Sequence, residues 1–245
     1  MSVFSMKKLA LAAALASATL ITGLGSQLAM AAAPLAKTSA PGYFRLMVGS
    51  LEVTAINDGT VELPVDKLLA NPEPKTNAAL ANSFLKAPLE TSVNAYLINN
   101  GEKLILIDAG AGALFGPTLG KFVANLRASG YEPAQIDDIY ITHLHSDHIG
   151  GLVSNNALAF PNAVVHVDQK DSDFWLSKAN LDKAPADAKS FYTNAVAMLT
   201  PYKAAKKFTP FNQKSQLTAG IKAISTSGHT AGHSVYEVES QGQKL

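Results

Sequence analysis

Positions 143 to 148 hold three histidines and an aspartate, in the run Thr142-His143-Leu144-His145-Ser146-Asp147-His148-Ile149-Gly150-Gly151. The apolar, strand-like stretch Ile136 to Ile141 leads directly into it, so the run reads as a short loop leaving a strand. Four ligand-type side chains this close together on one loop face a common point. A divalent metal is the economical reason for that crowding, since neutral imidazole and carboxylate suit zinc and its neighbours. His143 and His145 flank a leucine and can bind one ion together, whereas Asp147 and His148 lie further on and are placed for a second. Far downstream, Ser227-Gly228-His229-Thr230-Ala231-Gly232-His233 offers further imidazoles. The fold must therefore bring a strand end and a distant turn to one place, in the pattern of a two-metal hydrolytic centre.

The rest of the composition narrows the choice of chemistry. The chain has no cysteine, which excludes disulfides and thiolate metal sites. A formal net charge of +1 with no basic stripe argues against nucleic acid as a partner, and a hydrolytic centre is expected to act on a small-molecule substrate. Residues 1–31 read as an export signal: Lys7 and Lys8, then the apolar stretch Leu9 to Leu24, then the small-x-small site Ala29-Met30-Ala31. That places the mature chain in the periplasm or outside a bacterium, with no stable membrane association once the signal is removed. Residues 32–245 are long enough for one large α/β domain. Near the end, Ser234 to Glu239 alternates like a strand, Ser240-Gln241-Gly242 is turn chemistry, and Gln243 begins a return strand. A chain that stops there is expected to be truncated at its C-terminus.

The periodicity predicts mixed sheets with helices outside, not a doubly wound parallel sheet. Two short strands between Tyr43 and Val61 are expected to turn at Asn57-Asp58-Gly59-Thr60. Pro64 to Pro88 reads as a loop with one short helix. Strands are expected at Ser92 to Ile98, Leu104 to Ile107, Ile136 to Ile141, Ala163 to Val167 and Ile221 to Ser225. Helices are expected at Leu119 to Ser129, stopped by Gly130, and at Gln169 to Ala179 and Asp187 to Leu199.

With these residues in place, the chain resembles the metallo-β-lactamase superfamily. The resemblance rests on Asp108-Ala109-Gly110 after a strand, on His143-Leu144-His145-Ser146-Asp147-His148, and on Gly228-His229-Thr230, in that order. Within the superfamily it is most similar to the methyl parathion-hydrolysing branch, over about Ser39 to Leu245. Segments such as Leu114-Phe115-Gly116-Pro117-Thr118-Leu119-Gly120 and Asn180-Leu181-Asp182-Lys183-Ala184-Pro185 carry that likeness. The resemblance implies an αβ/βα sandwich, incomplete at the C-terminus, with two divalent ions, zinc by preference, at one edge. It assigns His143, His145 and His229 to the first ion and Asp147 and His148 to the second, with Asp147 part of the catalytic centre. A bridging aspartate and one more histidine would follow beyond Leu245. Phe115, Trp175 and Phe191 match the aromatics of a leaving-group pocket, although each also fits an ordinary core. Asp108 either caps its own loop or supports the metal loop from behind. His166 reads as an ordinary strand residue and His233 as a structural hydrogen-bonder. Relatives tend to dimerise.

The chemistry expected of such a site is hydrolysis of aryl phosphotriesters. Two ions about 3.5–4 Å apart would share a water, lower its pKa and present hydroxide to phosphorus. An aryloxide leaves without needing a proton donor. The same nucleophile would also suit a lactonase or aryl esterase, and a third reading is a truncated chain that binds a single metal without turnover.

Overall fold

The computed structural model describes Ala33, Leu35 and residues Gly42 to Leu245; the expected export signal, residues 1–31, lies outside them. Among the described residues, no helix is long and apolar enough to cross a membrane.

A six-stranded mixed sheet carries the architecture. Its strands are β1 (Tyr43–Val48), β2 (Leu51–Leu63), β3 (Leu89–Asn99), β4 (Leu104–Ile107), β5 (Asp138–Tyr140) and, beyond the short hairpin of β6 (Val153–Ser154) and β7 (Ala157–Leu158), β8 (Val164–His166). They lie in the order β1-β2-β3-β4-β5-β8, antiparallel up to β4 and parallel from β4 through β5 to β8. A second, antiparallel sheet is formed by β9 (Ile221–Ser225), β10 (Ser234–Ser240) and β11 (Gln243–Lys244).

The Leu104-Ile105-Leu106-Ile107 strand shows why the layers form. All four residues are buried, as an unbroken apolar run requires when both faces of a strand are covered. Because side chains alternate, Leu104 and Leu106 join one cluster while Ile105 and Ile107 join another. The first cluster holds the helix residues Phe122, Leu126, Trp175, Tyr192, Leu199 and Tyr202. The second holds Ile221 and Val238 of the small sheet. Helices therefore cover one face of the large sheet and the second sheet covers the other.

Three local expectations need correction. The β1–β2 turn falls at Gly49-Ser50, whereas Asn57 to Gly59 lies inside β2 as a bulge in its pairing with β3. The bulge serves a buried carboxylate. Asp58 is 0% exposed and accepts the N–H groups of Ala111 (2.9 Å) and Phe122 (2.7 Å). Pro64 to Pro88 holds two helices, Val65–Leu68 and Glu73–Asn82, not one. The helix expected over Gln169 to Ala179 ends at Trp175, and Ser177 caps a separate helix, Lys178–Lys183, by accepting the Asn180 N–H. The remaining elements match within a few residues: Phe122–Ala128, with Gly130 in the left-handed region as expected for a helix stop, and Lys189–Ala204.

Candidate metal centre

The parallel strands place the chemistry-bearing loops. β4 ends at Ile107 and opens into Asp108 to Gly112, and β5 ends at Tyr140 and opens into Thr142 to His148. The turn between β9 and β10 brings His229 and His233 to the same place, pinned by a hydrogen bond from Ser234 N–H to Thr142 O (3.0 Å). Small residues let the first two loops meet. A Cβ on Gly150 would run into the backbone carbonyl of Ala111, and one on Gly112 into that of Gly150. The Gly-Gly pair after the histidine loop is thus a packing requirement.

The structure brings His143, His145 and His229 together, with one ring nitrogen from each lying within 4.8 Å of the others. His143 Nε2 and His229 Nε2 stand 3.2 Å apart, while His143 Nδ1 is held by the Thr142 hydroxyl at 3.0 Å. Burial and the neighbouring imidazoles hold the pKa of His143 well below its ordinary value. The same two causes, burial first, lower His145 to about 4. Both rings are therefore neutral at ordinary pH and present lone pairs, which is the protonation state that a divalent cation needs. This donor set fits a metal ion.

Asp147 and His148 occupy the one-turn helix Ser146–Ile149. His148 sits between two carboxylates, Nδ1 at 2.7 Å from Asp108 Oδ2 and Nε2 at 3.2 Å from Asp147 Oδ2. Burial opposes charge on this ring, but Asp108 and Asp147 outweigh it and raise its pKa to about 10. Burial also pushes Asp147 upward, and the His148 contact reverses this, leaving its carboxyl below the usual value. Asp108 is buried, with φ at 63°, and also accepts the N–H (2.8 Å) and hydroxyl (2.9 Å) of Thr142. It thus caps its own loop and orients the histidine loop at the same time.

Two of the three aromatics lie against the cluster. Trp175 and Phe191 approach His145 with ring centroids at 5.1 and 5.0 Å, while Tyr192 packs on Trp175 at 4.7 Å. Phe115 packs against the group formed by Val93, Ala111 and Leu119. His233 Nδ1 bonds the Thr226 hydroxyl at 2.7 Å, in keeping with a structural role. His166 stacks on Tyr140 and bonds Asp138 at 2.8 Å.

Sequence reasoning passed over two residues that build this region, Asp58 and Asp171. Each is a fully buried carboxylate that accepts N–H groups from two different segments. An aspartate in a loop or in the first turn of a helix looks like a surface residue in sequence, and nothing in the apolar pattern marked either one.

Comparison with known proteins agrees with this geometry. Residues 89–242 match the family model described as the metallo-beta-lactamase superfamily. A solved structure of hydrolase AbOPH, of the beta lactamase superfamily, is 34% identical with a TM-score of 0.79, covering 84% of this chain and 73% of that one. AidC, a dizinc quorum-quenching lactonase solved with a homoserine product, is 25% identical with a TM-score of 0.74, covering 83% of this chain and 72% of that one. The Beta-lactamase-like protein 2 homolog of Drosophila melanogaster is 29% identical over 143 residues. The match takes in 58% of this chain and spans about two-fifths (41%) of that relative's length. The mixed sheet, its covering layers and the histidine loops at its edge together make the chain a member of the metallo-β-lactamase superfamily.

Proposed function

We propose that this chain is a metal-dependent hydrolase that cleaves aryl phosphotriesters of the methyl parathion type. The observation that carries the reading is the convergence of His143, His145 and His229 beside an aromatic wall, Trp175 and Phe191, that approaches His145 within about one ring's width. In this reading His143, His145 and His229 hold one divalent ion, zinc being the natural choice for this donor set. Asp147 and His148 would take part in holding a second once the His148 ring gives up the Nε2 proton it shares with Asp147. When bound, the two ions supply a Lewis acid and an activated water.

The chain's own residues do the rest. Asp108 fixes the His148 ring through Nδ1 and so directs Nε2 toward Asp147. Thr142 fixes the His143 ring in the same way, leaving Nε2 to face His229. Trp175 and Phe191 hold the aryl ring of the substrate by stacking and exclude water from that side. A stabilised aryloxide departs without a proton, so the site needs no general acid. The choice of phosphotriesters follows from the resemblance drawn above to the methyl parathion-hydrolysing branch, whose segments around Leu114 to Gly120 and Asn180 to Pro185 carry no catalytic role of their own. Read as an export signal, residues 1–31 would direct the reaction to the periplasm or beyond.

A second reading, lactonase, is favoured by the likeness to AidC. One experiment separates the two: zinc-loaded and chelator-treated protein is assayed on an aryl phosphotriester and on an N-acyl homoserine lactone. Metal-dependent turnover that favours the phosphotriester supports the proposal, and a preference for the lactone moves the assignment. Loss of neither activity on chelation, or wild-type turnover in His145→Ala, would overturn both.

A further inference from the structure

The two histidine-bearing loops are far apart in sequence, and one side chain joins them. Asp171, in the helix Gln169–Trp175, is 0% exposed. Its Oδ2 accepts the N–H of Leu144 at 3.0 Å, and its Oδ1 accepts the N–H of Gly232 at 2.6 Å. Leu144 separates His143 from His145, and Gly232 lies between His229 and His233. Each carboxylate oxygen therefore grips the backbone of one histidine-bearing loop.

The chemistry of this contact is selective. Among the described residues no ion pair includes Asp171, so the buried carboxylate is compensated by N–H donors and not by a cation. Burying a charge this way is expensive if the purpose is only to satisfy two amides. A carboxylate, unlike an amide side chain, offers two acceptor atoms and no donor, so a single group can hold two separate strands of backbone. The loops are shaped for the contact. Leu144 is fully buried, which turns its side chain into the core between the two histidines. Gly232 bears no Cβ, and one placed there would lie 2.6 Å from Asp171 N and 2.8 Å from Asp168 Oδ1. Only glycine brings that amide within reach.

We infer that Asp171 is a positioning residue for the metal centre: it locks the His143/His145 loop and the His229 loop in register so that their ring nitrogens converge before any ion arrives. The inference rests on the metal-site reading above. Asp171→Asn tests it, because asparagine keeps the shape and one acceptor but turns a donor toward the other loop. The readouts are zinc affinity by chelator competition, the visible absorption of the cobalt-loaded protein, and the melting temperature. Asp171→Asn is expected to bind zinc about tenfold to a hundredfold more weakly, a range typical of lost outer contacts, and to shift the cobalt bands. Wild-type affinity and an unchanged cobalt spectrum, even with a lowered melting temperature, would overturn the inference. If the variant does not fold, amide exchange in metal-free wild-type protein decides. Protected Leu144 and Gly232 amides are expected, and free exchange at both would overturn the idea. Wild-type protein that binds neither zinc nor cobalt would instead refute the metal-site reading.

Discussion

His148 lies between the carboxylates of Asp108 and Asp147, and its charge is open to direct measurement. Burial disfavours the charged ring, yet the two carboxylates raise its pKa from 6.5 to about 10. The perturbation is Asp108→Asn. Asparagine accepts the positive φ of 63° at this position, keeps an acceptor for the Thr142 N–H and removes the charge. Because the folded pKa lies above the unfolded one, the stabilisation is complete below pH 6.5 and is lost as pH rises toward about 10. A displacement of this size corresponds to at most about 5 kcal/mol, and solvent at a ring left 26% exposed reduces it further. The assay follows the ring nitrogen shifts of His148 in chelator-treated protein across this window, with a urea midpoint at each pH. The wild-type ring is expected to stay protonated past about pH 8 and the Asp108→Asn ring to titrate near or below the ordinary value of about 6.5. The stability gap between the two proteins should narrow as pH rises. A wild-type ring that titrates near its ordinary value, with a constant gap, would refute the reasoning.

Three further outcomes follow from the packing. Leu144→Ala empties a fully buried position between two candidate ligands and should lower stability by about 2–5 kcal/mol in equilibrium denaturation, with a parallel loss of zinc affinity. Gly150→Ala pushes a methyl group against the Ala111 carbonyl and should destabilise by about 1–3 kcal/mol; an unchanged urea midpoint would show that the two loops part easily. Asp138 is held by His166 at 2.8 Å and Lys103 at 2.7 Å, and the His166 contact keeps its pKa below 3.8. That stabilisation is present above the ordinary value and is lost as pH falls through the depressed one, so the advantage of wild type over Asp138→Asn should vanish in strong acid.

How much of this was legible in the sequence differs by kind of information. Runs of apolar residues gave β4 and β5 to within a few residues, because burial on both faces leaves a local mark. The histidine loop was legible because ligand-type residues clustered within it. The β1–β2 turn was misplaced because Asn57-Asp58-Gly59 has the local chemistry of a hairpin, while its actual role is set by a partner 64 residues away, Phe122, whose N–H Asp58 accepts. The β6–β7 hairpin, turning at Asn155 and Asn156 with positive φ at both, escaped notice because its strands are only two residues long. The aromatic wall was legible in part. Trp175 and Phe191 reach His145 from separate helices, and a local pattern cannot distinguish them from Tyr192, which packs on Trp175 but makes no ring contact with His145.

Asp58 and Asp171, which escaped sequence reading, share a physical cause with Asp108, which did not. Where the strands of a sheet end, the loops beyond them leave the ladder and their N–H groups lose regular partners. If such loops are to be buried and rigid, acceptors must come from elsewhere, and each loop end here draws on a buried aspartate. Asp58 holds the Ala111 and Phe122 amides, Asp108 holds Thr142 and His148, and Asp171 holds Leu144 and Gly232. Asp58 and Asp171 each join two separate segments, and Asp108 ties its own loop to both ends of the histidine loop. Two of the three, Asp108 and Asp171, also place a carboxylate against the loops that carry the imidazoles. A cation bound there would therefore meet a site with compensating charge already fixed in the scaffold. Removing one such aspartate should accordingly do more than leave two amides unpaired. It should weaken cation binding even where the fold survives, which a purely structural acceptor would not do.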